Sequence, residues 1–421
     1  MAVSQENRGT NQDPNQVDPA QIGYAGMGQV VVEENEGGVD VHQMGEMSQG
    51  ISKFVSKETN LLIIYTGGTM GMKPDASGAL APVPGYLTEQ IDLLVNSHQT
   101  DPMPTVTVKE YADLIDSCDM GPAEWRLIAN DIFDNYERYD GFLVIMGTDT
   151  MAYSASALSF MLENLAKTVV FTGSQIPFCR TFSDARRNLL FSMSLACTLD
   201  IPEVCLFFDD KLFRASRCRK ADSGNFDAFS SPNFQPLATV GLTVEVNTSL
   251  LLPQPKGRFR VHLDMDTKIM VVKLVPSFDT TAILRLASNP EREAKALILE
   301  LYGTGNAPRA DRTFVEAMEA AKASGLVVMA TSQCARGPVI PANEQIMTWL
   351  ETLGIIPAHD MTTEATCAKL AYLFGKKLTV SQVASSMALP MRGELTPPSE
   401  TITPVSKSVP MVNNSTMRPR L

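Results

Sequence analysis

Short apolar runs, each closing on Gly, Thr or Asp and then followed by a helical pattern, constrain this chain more than any other feature. They lie at residues 61–65, 141–146, 168–172 and 203–208 and are rich in Leu, Ile, Val and Phe. A strand that is apolar at every position, rather than at every second one, must be buried on both faces. A parallel sheet layered between helices provides that burial, so the pattern reads as repeated strand–helix–strand units. The clearest helix runs from Met151 to about Ala166, with Met151, Ala155, Leu158, Met161, Leu162 and Leu165 on one stripe. A second set of strands is expected at 269–274, 296–301 and 326–330, with a helix over 312–323 that Gly325 closes. The fold class is therefore α/β, with a larger N-terminal and a smaller C-terminal domain built on mostly parallel sheets.

The 421 residues suffice for two such cores, and the ends differ in texture from the middle. Residues 1–57 are rich in Gln, Asn, Gly and Glu and poor in large apolar groups, which reads as a disordered acidic leader. The expected layout continues with an N-terminal domain at 58–251, a Pro- and Gly-bearing linker at 252–267, a C-terminal domain at 268–398 and a disordered tail at 399–421. The formal charge of −12 is unevenly spread, residues 1–50 alone carrying eight carboxylates and one arginine. A chain-wide basic footprint for nucleic acid or anionic lipid is missing. No uncharged apolar run approaches the roughly 20 residues that span a bilayer, so no membrane partner is expected. Seven cysteines, widely spaced and without a Cys-x-x-Cys pair, and four histidines at no ligand spacing imply reduced thiols, no metal and a cytoplasmic setting.

Three segments carry groups capable of chemistry. Thr66-Gly67-Gly68-Thr69 follows the first apolar run, and its glycines let the backbone turn sharply and leave a Thr hydroxyl at the carboxyl edge of the sheet, where ligands of open α/β sheets bind. It reads as a nucleophile or as a tight turn. Gly147-Thr148-Asp149-Thr150 puts a hydroxyl and a carboxylate at a helix amino end, which suits an oxyanion site or an ordinary cap. Lys220 lies in the polar segment Ser216–Asp222 and reads alone as a surface lysine. Spacing does not bring the three together. Phosphate-loop, dinucleotide and Gly-x-Ser-x-Gly signatures are absent.

These segments nevertheless resemble, in order and at family spacing, the motifs of bacterial-type L-asparaginases, most closely the cytoplasmic type I branch that includes the asparaginase domain of animal enzymes. Asp116-Ser117-Cys118-Asp119-Met120, the run 158–165, Leu301-Tyr302-Gly303-Thr304-Gly305-Asn306-Ala307-Pro308, Asp360-Met361-Thr362 and Arg392-Gly393-Glu394-Leu395-Thr396-Pro397 extend the resemblance over about 58–398. It implies hydrolysis of the L-asparagine side-chain amide to L-aspartate and ammonia, with L-glutamine accepted by some members. It also implies no cofactor and a homodimer or dimer of dimers. By motif position Thr69 is the nucleophile, with Thr148, Asp149 and Lys220 completing the catalytic set. Ser117, with Cys118 beside it, would hold the substrate's α-carboxylate, and Asp149 its α-ammonium.

Four positions depart from the family pattern: Met146 where histidine is usual, Ala79 where bacterial members have tyrosine, Ala185 for Gly, and Arg219 for Thr beside the lysine. Tyr302 is the candidate substitute for the missing tyrosine. These departures keep open a second class of function, a catalytically weak or inactive amino-acid sensor or scaffold, beside a mixed glutaminase-asparaginase. An amidotransferase subunit acting on charged tRNA would need an added domain that the short acidic leader does not supply.

Overall fold

The computed structural model describes residues 59–97, 103–339 and 344–397. The expected leader and tail, His42 and His98 lie outside the described residues. The first apolar runs become the centre of an eight-stranded sheet. In spatial order its strands are Val244–Val246, Ala238–Val240, Lys211–Arg214, Val204–Phe208, Val169–Thr172, Gly141–Ile145, Asn60–Tyr65 and Thr105–Glu110. The last five are mutually parallel, and the first three pair antiparallel. A separate four-stranded sheet, wholly parallel, runs Ile269–Lys273, Ala296–Leu301, Val327–Ser332 and Ile355–Pro357. Both sheets carry helices on their faces, which is why the strands at 61–65 and 141–145 are buried at every position.

The structure corrects the helix at Met151. It ends at Met161, not near Ala166, because Leu162–Glu163 turns out to pair antiparallel with Arg260–Val261, and Asn164 adopts a left-handed φ of 56°. Its burial is not a stripe either. Of residues 151–161 only Tyr153 is exposed, because the helix has the large sheet on one side and the Thr363–Gly375 helix of the smaller half on the other. Phe160 lies 5.8 Å from Tyr372 across that contact. One apolar cluster therefore holds both halves, joining Leu158 and Phe160 to Leu370, Ile298 and Met329. The stretch expected to be wholly linker contributes a strand, Arg260–Val261.

Many elements were not anticipated, three of which bear on the large sheet. The Thr105–Glu110 strand alternates exposed and half-buried residues, so it lacks the continuous apolar signature of its neighbours; it is the sheet edge. The Pro122–Asn135 and Ala185–Thr198 helices complete the layers over the large sheet.

Candidate active site

Strand order puts the ends of Asn60–Tyr65, Gly141–Ile145 and Val169–Thr172 side by side, so the glycine-bearing turns that follow them share one carboxyl edge. Their closeness depends on having no side chain there. A Cβ on Gly68, whose φ is +92°, would lie 2.3 Å from the Gly147 nitrogen, and a Cβ on Gly147 would lie 2.7 Å from Ser117 Oγ. Three loops distant in sequence are thereby locked together.

Thr69 opens a one-turn 3₁₀ helix, Thr69–Gly71, directly after Gly68. It is half-buried and lines a cavity of about 320 Å³ together with Ser117, Thr148, Asp149 and Lys220. Ser117 is buried at the start of the Ser117–Asp119 turn, whose cap is the Asp116 carboxylate accepting from Cys118 N at 2.9 Å. Thr150 Oγ1 donates to Ser117 O at 2.5 Å, tying that turn to the loop bearing Thr148 and Asp149.

Lys220 arrives from outside the large sheet, on the two-residue strand Arg219–Lys220, which pairs with Phe229–Ser230. Its Nζ donates to Thr148 Oγ1 at 2.8 Å and to Asp149 Oδ1 at 2.5 Å. The lysine side chain is 18% exposed and the aspartate 61%, so the pair has one sheltered and one open member, and Asp149 Oδ2 has no hydrogen-bond partner among the described residues. Thr148 is itself buried. Because Nζ is the donor in that bond, the Thr148 O–H is free to point elsewhere, and Gln175 Oε1 stands 3.3 Å away.

Gln175 was missed from the sequence. Its Nε2 donates to the Ser223 and Asn225 carbonyls at 3.2 Å each, so it links Thr148 to the loop after Lys220. Asp184 holds its backbone, accepting from Gln175 N at 2.9 Å and Ile176 N at 3.0 Å; burial pushes that carboxyl up. The rule that singled out Thr69 and Thr148, an apolar run closing on glycine, applies equally to Gly173-Ser174-Gln175 and was the available signal.

Cys118 and Tyr302 are not brought to this cavity. Cys118 follows Ser117 on a tight turn and is exposed on its other side, its thiol pushed up by the hydrogen bond and charge of Asp116. Tyr302 packs on the core of the smaller half with its hydroxyl buried, and its backbone closes a turn with Asn306. Met146, in place of histidine, belongs to the apolar core, and Ala185 is buried at the head of its helix. Ala79 is exposed in the turn of the Met72–Pro74 and Leu80–Pro82 hairpin. Arg219 turns to the smaller half, where its Nε lies 3.7 Å from Glu364 Oε1. Another cavity, about 250 Å³ between the linker and Met391–Arg392, includes Arg214 and Glu203, which are committed to each other as an ion pair.

The interlock of Gly147 with Ser117 has a measurable consequence. Gly147→Ala is expected to displace the Ser117 hydroxyl and raise KM for asparagine by about tenfold or more, the cost of one charge-assisted hydrogen bond. Steady-state kinetics checks it, and an unchanged KM would remove Ser117 from substrate binding.

Fold and site together define a two-domain α/β protein with two threonines, a lysine and a carboxylate converging at the carboxyl edge of a parallel sheet. The chain belongs to the asparaginase family. Residues 60–252 match the family model for asparaginase, N-terminal, and residues 268–387 that for the glutaminase/asparaginase C-terminal domain. It is 41% identical to L-asparaginase 1 of Escherichia coli (strain K12), over 81% of this chain and 99% of that one. It is 38% identical to a 60 kDa lysophospholipase of Homo sapiens, over 83% of this chain but 64% of that protein. Among solved structures, L-asparaginase I from Vibrio cholerae superposes with a TM-score of 0.74 at 40% identity, covering 81% of this chain and all of that one.

Proposed function

We propose that this chain is an L-asparaginase that hydrolyses the L-asparagine side-chain amide to L-aspartate and ammonia through an ester on Thr69. The observation that carries the reading is the Lys220 ammonium reaching Thr148 Oγ1 and Asp149 Oδ1 in the same cavity as Thr69 and Ser117. Ser117 and the free oxygen of Asp149 suit the α-carboxylate and α-ammonium of an amino acid, leaving its side-chain amide for Thr69.

In the first half of the reaction, Thr69 Oγ bonds to the amide carbon while the Thr148–Lys220 pair receives its proton and passes one on to the amide nitrogen in the same step, and the C–N bond breaks as that nitrogen leaves as ammonia. In the second half water attacks the aspartyl ester, returning the proton to Thr69. Splitting one hard step into two easier ones is the advantage of the covalent route. The positioned relay is worth roughly 10²–10⁴-fold. Backbone N–H groups at the strand–helix turns suit the oxyanion, each such donor contributing about 2.7–4 kcal/mol.

We infer further a cytoplasmic enzyme, from the cysteine usage, and a homodimer or dimer of dimers. Met270, Val271 and Val275, exposed on and just after the outermost strand of the smaller sheet, support the association, which light scattering measures. The function itself is tested by following ammonia and aspartate at millimolar asparagine, with glutamine in parallel. Equal release of both products from asparagine is expected. No turnover, together with thermal stabilisation by asparagine, would identify a sensor instead.

A further inference from the structure

Every residue lining the cavity that holds Thr69 lies between Gly68 and Phe226, and the smaller half adds only Glu364, which walls an adjoining cavity of about 410 Å³ shared with Asp149 and Lys220. The smaller half nevertheless grips the segment that delivers Lys220. That lysine sits on a two-residue strand outside the large sheet, and the five residues leading to it, Arg214 to Cys218, are all buried.

Two of those five are arginines whose guanidiniums lie over the same ring, Phe234, at 4.7 and 4.8 Å. Arg214 pairs with Glu203 and donates to the Leu250 carbonyl within the larger half, with one long bond, 3.5 Å, across to Gly393 O. Arg217 reaches across. Its NH1 donates to Asp360 Oδ2 at 2.7 Å, its Nε to Gly393 O at 2.6 Å and its NH2 to Thr396 Oγ1 at 3.1 Å. Asp360 is in turn fixed by Thr396, accepting from its backbone N at 2.8 Å and its hydroxyl at 2.6 Å. Ser216 Oγ adds a bond to Arg392 O at 3.3 Å.

The turn receiving these bonds is rigid. Glu394, fully buried, accepts from Met391 N and Arg392 N and pairs with Lys369 at 2.6 Å. Gly393 has φ +69°, and a Cβ there would meet Arg214 NH1 at 2.5 Å, so the guanidiniums and the turn are fitted to each other. On the other flank Ser156 Oγ donates to Ala215 O at 3.3 Å, from the very helix whose amino end follows Thr148 and Asp149. Asp360 and the motif at 392–397 were visible in the sequence, but the cavity gives them no role.

We propose that Asp360, acting through Arg217, is a positioning residue for Lys220, and that the turn at 391–396 is the clamp holding the pair in place. The smaller half thereby sets the 2.8 Å contact between Lys220 and Thr148 without touching substrate. The inference rests on the reading of Lys220 and Thr148 as the proton relay. A relay group displaced by a fraction of an ångström loses rate while binding is left largely intact.

The test is a double-mutant cycle on kcat and KM for asparagine, using full-length wild type, Asp360→Asn, Lys220→Ala and the combined variant. Asp360→Asn is expected to lower kcat about tenfold to hundredfold and to change KM by less than about threefold. In the Lys220→Ala background it is expected to cost nothing further, because the group it positions is gone. Wild-type kcat in Asp360→Asn, or losses that multiply in the combined variant, would overturn the proposal. Full activity in Lys220→Ala alone would instead overturn the relay on which it rests. If Asp360→Asn does not fold, the same cycle is run with Thr396→Val, which removes one acceptor from Arg217 and one donor to Asp360 but keeps the charges. A smaller loss with the same non-additivity is then expected, and an additive loss overturns the proposal.

Discussion

Thr69→Ala is expected to lower ammonia release from asparagine by about 10⁴-fold or more, the scale on which removing a covalent nucleophile acts. Stability is expected to change little, within about 0.5 kcal/mol, because Thr69 is half-buried and its hydroxyl makes no hydrogen bond among the described residues. The turn around it is held by Gly68 against Gly147 and by backbone bonds such as Thr66 N to Ile145 O, none of which the substitution touches. Asparagine binding is expected to survive, since Ser117 and Asp149 are retained. The variant should therefore still be stabilised thermally by asparagine, separating loss of chemistry from loss of the site. Activity like that of the wild type would remove Thr69 from the mechanism.

The largest effect on stability is expected at Lys369. This ammonium and the Glu394 carboxylate are both 0% exposed, 2.6 Å apart. Lys369 also donates to the Met387 and Leu389 carbonyls, so the pair closes the chain after the Val380–Met387 helix onto the Thr363–Gly375 helix. Lys369→Met would leave an uncompensated buried carboxylate and is expected to cost about 3–5 kcal/mol in chemical denaturation. Adding Glu394→Gln should recover part of the loss. The amide removes the charge but still accepts from the backbone of Met391 and Arg392.

The pH dependence gives a second check on the same pair. Burial pushes the Glu394 carboxyl up, but the Lys369 ammonium and the hydrogen bonds it accepts outweigh burial and hold it below its ordinary value. In the wild type Glu394 thus contributes stability that is present above the ordinary glutamate range and is lost as pH falls through its folded value. In Lys369→Met burial dominates and the carboxyl rises. The variant is then expected to be hurt most at neutral pH, with its deficit shrinking as pH falls through the variant's raised carboxyl value and on through the wild type's depressed one. A deficit independent of pH would show that packing, not charge, is what Lys369 supplies.

How much of this was legible in the sequence follows from how far each feature depends on neighbours along the chain. The turns bearing Thr69 and Thr148 were legible because a continuous apolar strand closing on glycine places the next hydroxyl at the sheet edge, a local rule; that rule alone reads as well as a tight turn and a helix cap, and the resemblance assigned the roles. Gln175 obeys the same rule and was overlooked. Lys220 obeys no local rule. It lies 71 residues from Asp149 in the chain on a short strand outside the sheet, read alone it was a surface lysine, and resemblance to the asparaginases gave it a role. The contact of Arg217 with Asp360 spans 143 residues and joins the two halves, so no periodicity carries it. The Met151 helix was misjudged in length because its hydrophobicity continues into Leu162 and Leu165, where the backbone has already become a strand and a turn. Tyr302 and Cys118 show the limit of motif position alone, since each stands in a family motif and neither faces the cavity of this chain.

Acid-quenching the enzyme within the first turnover of asparagine and mapping the modified peptide tests the covalent Thr69 mechanism most directly. One aspartyl group is expected, in ester linkage to Thr69, absent from Thr69→Ala. An aspartyl group on Thr148 or any other residue, or a full first turnover of ammonia with no ester at any time point, would contradict it.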